Sequence, residues 1–246
     1  MKTHMSFTVF RRTFLKEVDT WSERIFCDEL AVLIAYILTI LITTKKLPYL
    51  LTINTFVIRI FSALSFFIDQ YLLGAILFYI SMIMDCADGI CSRAIFGKDP
   101  ILRGFMDVFF DTLSLTLLLY LVAIKEPSVV YFILVIALVY YLYEFGVATQ
   151  YLLFPKLNKP IGTSVFEAQP KTSRLVQLYL KLRRLFMKKG MIFYPTVVDA
   201  EFLIFVISPL FSFRNVLIWK IAILCAFIHT FFTLSAVFAN ILNQQQ

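Results

Sequence analysis

The 246-residue chain has little with which to build cross-links or a soft-metal site. Its four cysteines, Cys27, Cys86, Cys91 and Cys225, show no framework spacing, and the only histidines are His4 and His229. Cys86 and Cys91 do not form a C-x-x-C pair and neither histidine lies near them in sequence, so neither a disulfide scaffold nor a zinc or copper centre is expected. Internal repeats and low-complexity tracts are absent. A cleavable signal peptide is not expected either. The first apolar segment, Leu30 to Thr44, follows nearly thirty residues that include several acids, and it lacks a small-residue cleavage site.

Apolar residues are what the chain has in quantity. Hydrophobic residues make up 60% and aromatic residues 17%, with 27 phenylalanines, and they come in long runs instead of the alternation of a soluble core. These proportions describe an all-α polytopic membrane protein. A spanning helix needs about 20 mostly apolar residues, and five stretches approach or meet that length: Leu50 to Ile68, Tyr71 to Met84, Phe105 to Ile124, Val129 to Phe154 and Val216 to Leu242. A sixth, Val197 to Phe213, is shorter and carries Asp199 and Glu201 near its start. The expectation is a bundle of six transmembrane helices over residues 50–246, preceded by an N-terminal cytoplasmic and interfacial region over residues 1–49.

Charge sets the orientation. Lys2, Arg11, Arg12, Lys16 and Arg24 precede Leu30 to Thr44, and Lys45 and Lys46 follow it, so both flanks favour the cytoplasmic side. At about fifteen residues this segment reads as a helix lying in or dipping into the cytoplasmic leaflet, with a seventh span as the alternative. Arg93, Lys98 and Arg103 lie between the second and third spans, and the stretch from Lys156 to Lys189 holds nine Lys or Arg against one Glu. Both are expected in the cytoplasm, as are both ends of the chain.

The net charge of +7 therefore faces anionic lipid headgroups, and nucleic acid is not an expected partner. Within the basic segment over residues 155–196, Leu175, Leu178, Tyr179, Leu182, Leu185 and Phe186 recur at helical spacing among Arg174, Lys181, Arg183, Arg184 and Lys188, the pattern of an interfacial helix. Phe10, Phe14, Val18, Trp21 and Ile25 make a second such stripe beside Arg11, Arg12 and Lys16.

Four aspartates stand out against this background. Asp85 and Asp88 close one apolar segment, Asp107 and Asp111 open the next, and Gly89 and Arg93 lie between the pairs. Residues three or four apart share a helix face, so two facing helices present four carboxylates to one spot. A charge at membrane depth costs about 2.5–3.5 kcal/mol on insertion scales, so the cluster calls for a cationic occupant. Hard divalent cations take oxygen ligands and complete their shell with phosphates, and a pair of them can clamp an in-line displacement at phosphorus. Gly89 removes a side chain where a ligand approaches, and Arg93 offers a fork suited to a diphosphate. These parts describe phosphoryl transfer.

The residues resemble the signature of the CDP-alcohol phosphotransferases, D-x-x-D-G-x-x-A-R, a spacer of eight or nine, then G-x-x-x-D-x-x-x-D. The chain reads D-C-A-D-G-I-C-S-R from Asp85 to Arg93, then R-G-F-M-D-V-F-F-D from Arg103 to Asp111. L-T-I-N-T-F-V-I-R, from Leu51 to Arg59, is similar to the family's L-T-P-N-x-x-T stretch, with Ile53 in place of proline. Ser92 replaces the usual alanine. Arg103 occupies the place of the second glycine and Gly104 follows it, about 100° further round a helix.

The resemblance runs from about Leu50 to Leu242 and implies two divalent cations, Mg2+ or Mn2+, held by Asp85, Asp88 and Asp107. Asp111 would contribute a ligand and serve as general base. It implies CDP contacts at Asp88, Gly89, Ser92, Arg93 and Gly104, a CDP-linked lipid donor, an alcohol acceptor, release of CMP, and a homodimer. Donor and acceptor stay interchangeable at this stage, since a CDP-choline or CDP-ethanolamine user with a lipid alcohol carries the same signature. Glu144, Arg174, Asp199 and Glu201 are candidates for the acceptor site, although each acid can equally pair with Arg59 or a backbone group. A cation transporter and a catalytically inactive lipid-binding relative are the competing expectations.

Overall fold

Long apolar runs can enter lipid only if every backbone N–H and C=O is satisfied within the chain, and the described residues meet that demand as helix, with no sheet among them. The computed structural model describes residues 5–42, 44–97, 100–153, 181 and 184–244. Helix α1 is Phe7–Phe14, and a π-helical turn at Glu23–Cys27 leads into α2, Asp28–Leu41. Then come α3 (Leu47–Phe67), α4 (Tyr71–Phe96), α5 (Ile101–Lys125) and α6 (Val130–Leu153). Helix α7, Val197–Phe202, continues through a π-helical segment at Leu203–Ile207 and a 3-10 turn at Ser208–Phe211, and α8 is Val216–Gln244.

Four of these helices are long and apolar enough to cross a membrane: α3, α4, α5 and, within α8, Val216–Ser235. By length and composition the chain is a membrane protein. Helix α4 runs well past the apolar stretch ending at Met84, carrying the acidic signature on continuous helix as far as Gly97. There a left-handed φ of 78° ends the helix, with the Gly97 N–H donating to the Arg93 carbonyl. Pro100, extended and without an N–H, then precedes α5.

Helix α3 packs along both α4 and α5, α2 lies against α4, and α6 pairs with α8. Without a hydrophobic drive between helices in lipid, close approach comes from small residues. Ser62 and Ala63 of α3 and Gly74 and Ala75 of α4 are all buried, and Ser62 Oγ donates to the Gly74 carbonyl at 2.7 Å. A Cβ on Gly74 would run into the Phe66 ring. The π-helical segment wedges buried Phe205 against Phe78, with ring centroids 4.8 Å apart, and joins the α6–α8 side to the α3–α5 side. Outward faces stay apolar. Leu72, Leu73, Ile76 and Ile80 of α4 are exposed, and so are Leu30, Leu33, Ile37 and Ile40 of α2, whose Ala31, Val32 and Ala35 are buried.

The N-terminal stripe from Phe10 to Ile25 does not lie on one helix. Helix α1 stops at Phe14, and the Asp19 backbone pairs with residues 190–192, its N–H donating to the Gly190 carbonyl at 3.0 Å and its carbonyl accepting from Ile192 at 2.9 Å. Trp21 stacks on Phe186 at 5.6 Å and donates its Nε1–H to the Ile192 carbonyl at 2.6 Å, while Ile25 is exposed. Of the basic segment, 184–188 is helical, and 155–180 lies outside the described residues.

Burial, together with the neighbouring Glu23 carboxyl, pushes the Asp19 carboxyl up to about 7 despite the Lys16 ammonium. An unfolded aspartate titrates near 4, so the folded segment binds more protons between those values. Its docking is expected to be strongest below about pH 4 and to weaken as pH rises through about 7. In a Trp219→Phe background, Trp21 fluorescence should report that loss, and Asp19→Asn should flatten it.

Candidate metal centre

Helices α4 and α5, which carry the four aspartates, both pack along α3. Asp85, Asp107 and Asp111 each offer a carboxylate oxygen, and these oxygens lie within 4.8 Å of one another. Asp107 and Asp111 are one turn apart on α5, so they share the face turned to α4. Asp85 Oδ1 and Asp107 Oδ1 are buried and have no hydrogen-bond partner among the described residues. Three carboxylates this close repel, and buried acceptors without donors are costly, so the arrangement fits a hard divalent cation with oxygen ligands.

The fourth carboxylate is engaged differently. Asp88 is buried at 1% exposure; its Oδ1 accepts from Arg103 Nη1 at 2.7 Å and its Oδ2 from Thr52 Oγ1 at 2.6 Å. Arg103, also buried, extends Nη2 to 3.6 Å from Asp107 Oδ2. Asp111 is held from the other side by Arg59, a buried guanidinium midway along α3 that also lies 3.5 Å from Ser114 Oγ and over the Phe78 ring. Four carboxylates and two guanidiniums therefore occupy one region of the bundle.

The nucleotide-side candidates are arranged in two ways. Gly104 has open space where a side chain would project, and at Gly89 the nearest group is Arg93 Nη1, 3.4 Å from where a Cβ would sit. Arg93 donates Nε–H to the Phe14 carbonyl at 2.8 Å, tying α1 to α4. Ser92 is fully buried, and its Oγ has no hydrogen-bond partner among the described residues.

Of the acceptor-side candidates, Asp199 is engaged in a helix cap. Its Oδ2 accepts from Thr196 N–H at 2.7 Å and Oγ1 at 2.9 Å, and its Oδ1 from Ser22 N–H at 2.6 Å. Glu201, two residues on, interacts electrostatically with Arg59 and lines a small cavity with Leu115, Leu119, Tyr140 and Ile204. Arg174 and the side chain of Glu144 lie outside the described residues. Thr52 and Arg59 both come from the Leu51-to-Arg59 stretch. Their signal was polar residues at helical spacing in an apolar segment, since Thr52, Thr55, Arg59 and Ser62 fall on one buried face.

No protein-family model matches the chain, and no curated protein matches it.

Charge removal should act oppositely at the two kinds of carboxylate. Asp88→Asn removes the carboxylate that Arg103 Nη1 meets, and losing one partner of a buried pair costs about 3–5 kcal/mol. Asp85→Asn relieves repulsion within the triad and should raise the melting temperature of metal-stripped protein. Thermal melts in detergent with chelator compare the two directly.

Proposed function

We propose that the chain is a divalent-metal-dependent membrane transferase that moves a substituted phosphoryl group from a CDP-linked alcohol to a second alcohol and releases CMP. The observation that carries this reading is the convergence of Asp85, Asp107 and Asp111 on one spot, with two buried oxygens lacking donors among the described residues. The proposed setting is six spans formed by α3, α4, α5, α6, the broken α7 and α8, with the acidic site toward the cytoplasm and the protein acting as a homodimer. The exposed apolar face of the fourteen-residue α2 supports an interfacial position for the N-terminal region. The donor in this reading is CDP-diacylglycerol or an ether-lipid equivalent, and the product is a phospholipid.

A divalent ion held by the triad would neutralise the diphosphate and stabilise charge on the departing CMP. The rest falls to the chain's own side chains. Asp111 accepts the proton of the acceptor hydroxyl, and Arg59 fixes the orientation of that carboxylate. The acceptor oxygen bonds to the β-phosphorus as the bond from that phosphorus to the bridging oxygen breaks, and the electron pair leaves on CMP. Gly89 and Gly104 leave room for the nucleotide, and Arg93 lies beside Gly89 to meet its phosphates. The apolar bundle keeps water from competing with the acceptor.

Purified protein given CDP-diacylglycerol, Mg2+ and a panel of polar alcohols should release CMP with one class of acceptor. Asp111→Asn should lower that rate by at least about 10²-fold, the lower range for loss of a general base. Absence of CMP release, with movement of metal ions into sealed vesicles, would instead mark a cation carrier.

A further inference from the structure

We infer that Arg103 is a built-in cation standing where a second metal ion would otherwise bind, so that the acidic quartet holds a single divalent ion in the Asp85–Asp107–Asp111 triad. The inference rests on the metal-dependent reading of this site and concerns how many ions that site takes.

The guanidinium leaves little for a second ion to bind. Asp88 is almost wholly buried, and each of its oxygens already accepts a short hydrogen bond, one from Arg103 Nη1 at 2.7 Å and one from Thr52 Oγ1 at 2.6 Å. Arg103 is itself buried, at 4% exposure, and its Nη2 lies 3.6 Å from Asp107 Oδ2. It thus reaches two carboxylates of the quartet at once, which is the place a bridging ion would take. The position is set by register: Arg103 and Asp107 are one helical turn apart on α5, so the fork falls between Asp107 and the α4 carboxylate facing it.

The remaining oxygens match one coordination shell. Asp85 Oδ1 and Asp107 Oδ1 have no hydrogen-bond partner among the described residues, and the triad offers oxygens within 4.8 Å of one another. In an octahedral Mg2+ site with bonds of about 2.1 Å, ligand oxygens are about 3 Å apart when adjacent and about 4.2 Å when opposite. A modest contraction closes the triad around one ion. Two ions about 3.5–4 Å apart would need further bridging oxygens. The fourth carboxylate of the quartet, Asp88, is engaged.

The test counts bound metal. Detergent-purified protein is stripped with chelator, loaded with Mn2+, separated from free ion, and examined by elemental analysis and low-temperature electron paramagnetic resonance. The expected result is one Mn2+ per chain with a magnetically uncoupled spectrum. Arg103→Gly should bind a second Mn2+ and show exchange coupling between the two, a doubling of stoichiometry, while Arg103→Lys should keep one. Because Arg103→Gly leaves Asp88 buried and unpaired, Asp88→Asn/Arg103→Gly serves as the charge-matched variant and should hold one ion. If Arg103→Gly does not fold, the wild-type count decides. Two ions in the wild type, or no gain in folded Arg103→Gly, overturns the inference. CMP release measured on the same samples separates the two claims. One ion without CMP release sinks the transferase reading and leaves the inference standing, whereas two ions with CMP release does the reverse. No bound Mn2+ in any variant overturns both.

Discussion

Charge inside a low-dielectric bundle is the constraint around which the rest of this structure is organised. An isolated carboxylate or guanidinium taken out of water loses far more solvation than packing can return, so each must meet a partner of opposite sign in good geometry. Here Arg59 meets Asp111, and Arg103 meets Asp88. These two pairs tie α3 to α5 and α4 to α5, and α3 and α4 are locked by the small-residue seam at Ser62 and Gly74. The apolar exterior imposes no register of its own, because lipid tails solvate one helix face as well as another. The buried ion pairs supply directional, distance-sensitive contacts that slippage of a helix by one residue would break.

The same electrostatics leaves a surplus. After pairing, the triad retains buried oxygens without donors among the described residues, a poor arrangement for stability alone. It sits where α4 and α5 converge near two glycines that leave space open. A site that is destabilised when empty gains most when filled, because the ion's binding energy includes relief of repulsion already present.

Much of this was legible in the chain. Asp85, Asp107 and Asp111 announced themselves because helical periodicity is local: two acids one turn apart on adjacent apolar segments can meet if the connection is short. The span boundaries were close for the same reason, with Tyr71 and Val216 both recovered as helix starts. What was not legible depends on contacts distant in sequence. The Phe10-to-Ile25 stripe reads as one helix until the backbone of Asp19 is seen to pair with residues 190–192. Asp88 carries the same spacing as its neighbours, and only the arrival of Arg103 from the next helix separates it from them. Asp199 is the instructive case, because its signal was present: Thr196 and Asp199 are spaced as a reciprocal helix cap just before an apolar run, and the structure uses them as one.

The order of α3, α4 and α5 in the chain has a consequence for how the protein is made. The four aspartates, Arg59 and Arg103 all lie between Thr52 and Ser114, on three helices consecutive in the chain. The ion pairs that would be most harmful if left open in lipid can therefore close while the ribosome is still producing the rest. Helices α6 to α8 arrive later, against that scaffold, and dock through apolar and aromatic contacts such as that of Phe205 and through the interaction of Glu201 with Arg59.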